Sequence, residues 1–324
     1  MENIHNDQWL AIVNPNAGAR KCERDWKKIS ILLESHGVAY KAVFTEKRLH
    51  AVELTQKHIE EGYRKIISVG GDGTLNEIVN GVFGQRFAPT TAITLAVISV
   101  GTGNDWVRTY NLPTDYSDTI ALIKKGDTYL QDAGTVSYIN GDSTKTRYFI
   151  NMAGLGFDGL VAQKTNADKD LGKGNPLIYF KNIFLSLFAF KSVQTRIVID
   201  DTEINTKIFS VGVGIGQYNG GGMKQAPNAV PDDGLFDLTL IKDMSKWSVI
   251  ASVKKLYDGT IGSHKKVITL TGKRIEIVPQ IPILLETDGE SLGKSPFTFN
   301  IVPKSLRVLI NKERNVASGS PAIK

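Results

Sequence analysis

Residues Ile66-Ile67-Ser68-Val69 form an apolar run that ends abruptly at Gly70-Gly71-Asp72-Gly73. Beyond it, Leu75, Ile78, Val79 and Val82 fall at i, i+3, i+4 and i+7, the apolar stripe of a helix. A buried strand, a glycine turn and an amphipathic helix therefore follow one another. One carboxylate, Asp72, stands where the strand ends and the helix begins. Open α/β sheets place ligands at such strand ends. Glycines let the backbone approach a ligand closely, and the helix N-terminus offers unpaired N–H groups to phosphate. A carboxylate is poorly suited to touch phosphate itself. It acts through a divalent cation, or takes a proton from a hydroxyl. Nucleotide chemistry is the economical reading.

The same alternation fills the first third of the chain. Strands are expected at Leu10–Val13, Ala39–Phe44, Lys65–Val69 and Leu95–Val100, and helices near Arg24–His36, Ala51–Glu61 and Ser117–Lys125. Alternating strands and helices predict a parallel sheet covered on both faces. Four strands run into loops rich in Gly, Asn, Asp or Thr, which would share one edge of that sheet. Among them are Asn14-Pro15-Asn16-Ala17-Gly18 and Gly101-Thr102-Gly103-Asn104-Asp105. The second could line a phosphate chain opposite the Asp72 loop.

After about Leu130 the pattern changes to short strands separated by turn residues, which predicts an antiparallel sandwich. Asn140-Gly141 marks a hairpin between Thr135–Ile139 and Thr146–Asn151. Separate strands are read at Phe297–Val302 and Leu306–Ile310, and two inserted helices near Pro176–Phe190 and Met244–Tyr257. The first of these helices is apolar enough to serve as core or as a membrane-facing wall. The tail from Val316 reads as disordered. The fold class expected is thus α/β followed by all-β. The nucleotide-binding domain spans residues 1–130 with a returning segment 304–315, and the β-rich domain spans 131–303.

Several classes drop out. The single cysteine, Cys22, rules out a disulfide framework within the chain. The five histidines are scattered without ligand spacing, and His50 and His58 read as surface residues. The apolar stretch Leu177–Phe190 is interrupted by Lys181, Asn182 and Ser186 and is shorter than the ~20 residues of a spanning helix. No secretory signal is visible, so a cytoplasmic protein able to touch a membrane surface is expected. The formal charge of +6 suits nucleotide, anionic lipid or nucleic acid and does not decide between them, though no nucleic-acid partner is expected. No G-x-x-x-x-G-K-[ST] occurs, which excludes a P-loop. Gly154-Leu155-Gly156-Phe157-Asp158-Gly159 imitates a dinucleotide fingerprint, but a Lys-rich loop is read after it, so it is taken as a close-packed turn.

Two acidic clusters remain. Asp232-Asp233-Gly234-Leu235-Phe236-Asp237 places adjacent carboxylates before a tight turn, an arrangement a hard cation would favour. Glu286-Thr287-Asp288-Gly289-Glu290 ends a strand, with two carboxylates flanking a glycine, one of which could serve as a general base.

Taken in order, these elements resemble the diacylglycerol kinase catalytic family, in its soluble bacterial lipid-kinase branch. The resemblance rests on Asn14-Pro15…Gly18, Gly70–Glu77, Gly101–Asp105, Gln131-Asp132-Ala133-Gly134, Asn151–Gly159, Pro231–Asp237 and Asp288–Glu290, and spans nearly the whole chain. It implies an active site between two domains and transfer of the γ-phosphate of ATP, with Mg2+, to a lipid hydroxyl, most simply that of diacylglycerol. Asn14, Thr45, Gly71, Gly73, Thr74, Gly101, Thr102, Gly103 and Asn104 would hold the nucleotide. Asp72, Asp105 and Asp132 would form a water-linked magnesium network. Asp232, Asp233 and the Leu235 carbonyl would hold a structural magnesium. Glu290, steadied by Asp288, would be the catalytic base, with Asp72 its rival. A lipid substrate at a membrane surface is the implied partner, and a homodimer is a possible assembly. A soluble-substrate kinase of the same superfold, such as an NAD kinase, and a non-catalytic nucleotide- or lipid-binding protein are the alternatives.

Overall fold

The structure, a computed structural model, describes residues 7–101, 103–170 and 176–311, without side chains for 169–170 and 176–180. The chain divides into two compact units. One runs to Asp132 and resumes at Lys304, and the other is Ala133–Pro303.

In the first unit β1 (Trp9–Val13), α1 (Ala17–Ser35), β2 (Tyr40–Phe44), α2 (His50–Glu60), β3 (Lys65–Gly70), α3 (Asp72–Gly84), β4 (Thr94–Ser99), α4 (Asp105–Thr109) and α5 (Tyr116–Lys125) follow in order. The strands pair in parallel in the order β2-β1-β3-β4. The run that reads as continuously apolar, β1, is buried throughout, as expected of a central parallel strand. On α3, Leu75, Ile78, Val79 and Val82 are all buried, so the stripe read from spacing is the face that packs. Helix α5 is capped by Asp115, which accepts from the Ser117 and Asp118 amides, and ends at Gly126 in the left-handed region. His58 is buried, contrary to its reading as a surface residue. Its Nδ1 lies 2.8 Å from the Leu54 carbonyl, its ring packs edge-on against Tyr63, and burial lowers its pKa.

Strand β5 (Thr128–Asn140) leads into the second unit. It is followed by β6 (Ser143–Phe149), β7 (Met152–Gly156), α6 (Phe157–Asp170), α7 (Pro176–Ala189), β8 (Val193–Ile199), β9 (Thr202–Gly214), β10 (Phe236–Lys242), α8 (Lys246–Tyr257), β11 (Val267–Gly272), β12 (Arg274–Pro279), β13 (Leu284–Thr287) and β14 (Glu290–Leu309). Antiparallel pairing closes on itself through β9, β8, β12, β14, β13 and β7, with β10–β11 and β5–β6 as side ribbons. Inside, Phe149, Phe236 and Phe299 pack ring against ring, and a Cβ at Gly134 would stand 2.5 Å from the Phe149 ring.

Two further expectations need correction. The segment after Gly156 is helix α6, not a Lys-rich loop; its stripe is weak because polar residues occupy most of it. The close packing read there is real, since a Cβ at Gly159 would lie 2.4 Å from the Leu284 carbonyl oxygen. The strands read at 297–302 and 306–310 form one continuous strand, β14. Pro303 and Lys304 do not break it, although Lys304 has a φ of 44°. Beyond them Arg307 and Val308 pair in parallel with Thr94 and Leu95, which adds a fifth strand to the first unit. The tail read as disordered, from Val316, lies outside the described residues.

Candidate active site

The parallel register decides where the first-unit loops emerge. Val13 pairs with Phe44 and with Val69, and Gly70 with Ser99. Asn14, Thr45, Gly71 and Gly101 therefore leave the sheet at one edge. The Asn14 amide donates to Val69 O, its Nδ2 donates to Thr74 Oγ1 at 2.9 Å, and its Oδ1 accepts from the Asn16 amide. The Thr45 amide donates to Val13 O. Residues Gly18, Ala19 and Arg20 take left-handed φ values of 61°, 54° and 64°, and a Cβ at Gly18 would meet Val100 O at 2.4 Å. The two glycine loops touch backbone to backbone: a Cβ on Gly101 would lie 2.6 Å from Gly71 Cα. Thr102 lies outside the described residues.

Asp72 opens α3, and its carboxylate accepts from the amides of Asp105 (3.3 Å) and Trp106 (3.4 Å), at the start of α4. The space beside Gly103 faces both acids, since a Cβ there would lie 3.1 Å from Asp72 Oδ2 and 3.6 Å from Asp105 Oδ2. Asn104, with φ 55°, donates to Gly101 O, while its own Oδ1 is buried without a partner among the described residues. Asp132 is buried and accepts from the Lys304 amide at 2.7 Å. Among the described residues no three His, Cys, Asp or Glu side chains gather into a metal cage. A magnesium ion that keeps several waters needs only one or two carboxylates, and the oxygen pair beside Gly103 fits that demand.

The second unit carries the other acids. Asp288 and Gly289, with φ of 48° and 84°, form the two-residue turn between β13 and β14. The Asp288 carboxylate is buried and accepts the amides of Ile150, Asn151 and Met152, each at 3.1 Å. It thereby ties the β6–β7 connection to the turn. Glu290, at the start of β14, pairs with Thr287 and is half-buried. In the other cluster, Asp233 Oδ1 accepts from the Leu235 amide. Burial, and then the charge of Asp232, raise the Asp233 carboxyl. Burial and the Asp233 charge push Asp237 up to about 6. Crowded, half-desolvated carboxylates of this kind suit a hard cation.

The pairing of two further acids escapes sequence reading. Glu286 on β13 is buried and Asp158 on α6 is half-buried, and Gly154 between them has no room for a Cβ, which would stand 2.5 Å from Glu286 Oε1. Asp158 Oδ2 accepts from Ser210 Oγ and Gln225 Nε2. Glu286 accepts from the Gly289 amide and from Asn219 Nδ2. Burial pushes Glu286 up to about 8 and raises Asp158 as well. The signals for it were an acid directly after the apolar run Ile283–Leu285 and an aspartate directly before Gly159.

A family model of the diacylglycerol kinase catalytic domain matches residues 8–136, and one of the YegS C-terminal NAD kinase beta sandwich-like domain matches residues 151–310. A diacylglycerol kinase of Staphylococcus epidermidis is 31% identical over 302 residues, covering 93% of this chain and 92% of that protein. One from Staphylococcus saprophyticus is 31% identical over 288 residues, covering 89% and 90%. Among solved structures, a diacylglycerol kinase from Bacillus anthracis superposes with a TM-score of 0.70 at 22% identity, over 95% of this chain and 98% of that one. Yeast NADH kinase, complexed with NADH, superposes with a TM-score of 0.53 at 13% identity, over 96% and 87%. The fold is therefore that of the NAD kinase-like kinases, an α/β domain followed by a β-rich one. Within that class the chain belongs to the diacylglycerol kinase family, lipid kinases that draw on a nucleotide. No helix among the described residues is long and apolar enough to cross a membrane.

Proposed function

We propose that this protein transfers the γ-phosphate of MgATP to the free hydroxyl of diacylglycerol, giving phosphatidic acid. The observation that carries the reading is the pair of glycine loops in backbone contact, with Asp72 and Asp105 facing the space beside them. Phosphoryl transfer asks a protein for positioning and charge neutralisation more than for covalent chemistry. Asn14, Thr45, Gly71, Gly73, Thr74, Gly101, Thr102, Gly103 and Asn104 are proposed to cradle the nucleotide through backbone and side-chain donors. Magnesium, when bound, offsets the triphosphate charge; Asp72 and Asp105, with Asp132 through water, are the residues to hold it. Asp232, Asp233 and the Leu235 carbonyl are proposed to hold a second, structural ion.

As the acceptor oxygen bonds to the γ-phosphorus, the bond from that phosphorus to the β–γ bridging oxygen breaks. ADP is the leaving group, and the hydroxyl proton passes to the Glu290 carboxylate. Asp288, with its carboxylate held by three amides, fixes the turn on which Glu290 stands. The protein is proposed to act as a peripheral protein at a membrane surface, alone or as a homodimer.

The test is transfer of labelled γ-phosphate from MgATP to a panel of lipids in mixed micelles, with Asp72→Ala and Glu290→Ala alongside. Labelled phosphatidic acid, lost in both variants, is expected. Binding of ATP with no labelled lipid would overturn the reading and move the search to NAD and other soluble acceptors.

A further inference from the structure

Helix α8 carries an apolar stripe on its solvent side. Trp247, Ile250, Val253 and Tyr257 follow at helical spacing along one face, and all four are exposed, Trp247 at 76% of its full surface. The opposite face is held down. Val249 packs with Leu187, Phe209 and Ile241, and Ser245 caps the helix by accepting from the Ser248 amide. The helix is thus fixed on the second unit with its greasiest side outward. Four large apolar side chains exposed together along one face, rather than singly, mark a docking face.

Charge and residue type select the occupant. Between Asp243 and Lys266 the chain carries five lysines against two aspartates. Lys254 is exposed on the helix itself. Lys265 and Lys266 line, with His264 and Asp243, an open hollow of about 420 Å³ at its N-terminal end. Lys255 Nζ donates to Ser263 Oγ at 3.1 Å. Trp and Tyr stand at the two ends of the stripe, and these side chains prefer a boundary that is apolar on one side and wet on the other. A helix with exposed Trp, Ile, Val and Tyr side chains and lysines beside them matches the interface of an anionic bilayer.

We propose that the exposed face of α8, with Lys254, Lys265 and Lys266 beside it, docks this protein on anionic phospholipid bilayers. Trp247, Ile250, Val253 and Tyr257 enter the headgroup boundary while the lysines stay among the phosphates. The inference rests on the lipid-kinase reading only for the use made of docking, since membrane binding is measured without catalysis.

The full chain is sedimented with vesicles of phosphatidylcholine alone or mixed with phosphatidylglycerol. Binding should favour the anionic vesicles and fall as salt rises. Each lysine near an anionic surface is worth about fivefold in affinity, so Lys254→Glu/Lys265→Glu/Lys266→Glu should weaken binding by roughly a hundredfold or more. Trp247→Ser and Ile250→Ser should each weaken it by about tenfold. Vesicles should shift the tryptophan emission of the parent to the blue, and the shift should be lost in Trp247→Phe. Phosphorylation of a short-chain, water-dispersed diacylglycerol should stay within about twofold of the parent in all these variants, because their side chains lie on the surface.

Unchanged vesicle binding in the lysine or Trp247 variants overturns the proposal. So does equal binding to neutral vesicles, or a dimer that Trp247→Ser dissociates, which would make the face a contact between two copies. Vesicle binding without any lipid phosphorylation would instead sink the kinase reading and leave this one standing.

Discussion

Asp288 and Glu290 stand two residues apart on one turn, and their surroundings set different tasks for them. The Asp288 carboxylate is consumed by three buried amides, whereas Glu290 sits half-buried at the start of a strand. Asp288→Ala would orphan those amides, and an unsatisfied buried donor costs about 1–3 kcal/mol. A fall in the denaturant midpoint is therefore expected, with activity lost along with the fold. Glu290→Gln should leave the midpoint unchanged and lower kcat by about two to four orders of magnitude, the usual worth of a general base. A Glu290→Gln enzyme with parental kcat would remove the residue from the chemistry. Gly101 makes a parallel case in the first unit. A Cβ there would press within 2.6 Å of Gly71 Cα and 2.9 Å of Asn104 Oδ1, so Gly101→Ala must part the two loops. Calorimetric titration should find ATP affinity reduced by about tenfold or more, given that overpacking of this kind costs about 1–3 kcal/mol. Unchanged affinity would mean that these loops do not hold the nucleotide.

At the scale of elements, Glu77 shows a motif residue holding two helices together. Its two oxygens accept from the amides of Leu49 and Ala51, which ties α3 to the open start of α2. Leu49 has a left-handed φ of 63° and supplies no side-chain cap of its own. Glu77→Ala should cost about 1 kcal/mol, the usual worth of a lost cap, seen as a lower denaturation midpoint with ATP affinity retained. The elements most legible in the sequence were those whose burial pattern matches their own period. Strands β1, β3 and β4 read as continuous apolar runs because they are buried on both faces, and α3 displayed its stripe because only one face is. Helix α6 was not legible, since a polar helix has no stripe to read. The acid pair Asp158 and Glu286 was not either, because what makes it unusual is burial by residues far apart in sequence. Of the glycine loops, the strand ends were legible. The contact between Gly71 and Gly101 depends on sheet register, which no local pattern reveals.

The stability of the whole molecule should carry the mark of that acid pair. Glu286 rises from an ordinary 4.5 to about 8, so the folded chain keeps a proton that the unfolded chain gives up. Stability from this group is complete below 4.5 and is lost as pH climbs through about 8. Asp158 and Asp237 are raised in the same direction. His58 works oppositely. Burial lowers it from 6.5, so its contribution is present above that value and lost as pH falls. Exposed, ion-paired Glu23, Glu53 and Glu203 are lowered and act only below the ordinary carboxylate range. The parent curve is therefore a sum of opposed slopes, and its shape alone assigns nothing. The informative quantity is the difference between Glu286→Gln and the parent. An amide cannot ionise, yet its oxygen can still accept from the Gly289 amide and its shape is kept. The variant should lose less stability than the parent between about pH 5 and pH 8, so that the two thermal-midpoint curves change separation steadily across that window. Curves that stay parallel would mean that Glu286 is already ionised in the fold. Its charge would then need a partner in the second unit beyond the Gly289 amide and Asn219, because neither brings the positive charge that burial would otherwise demand.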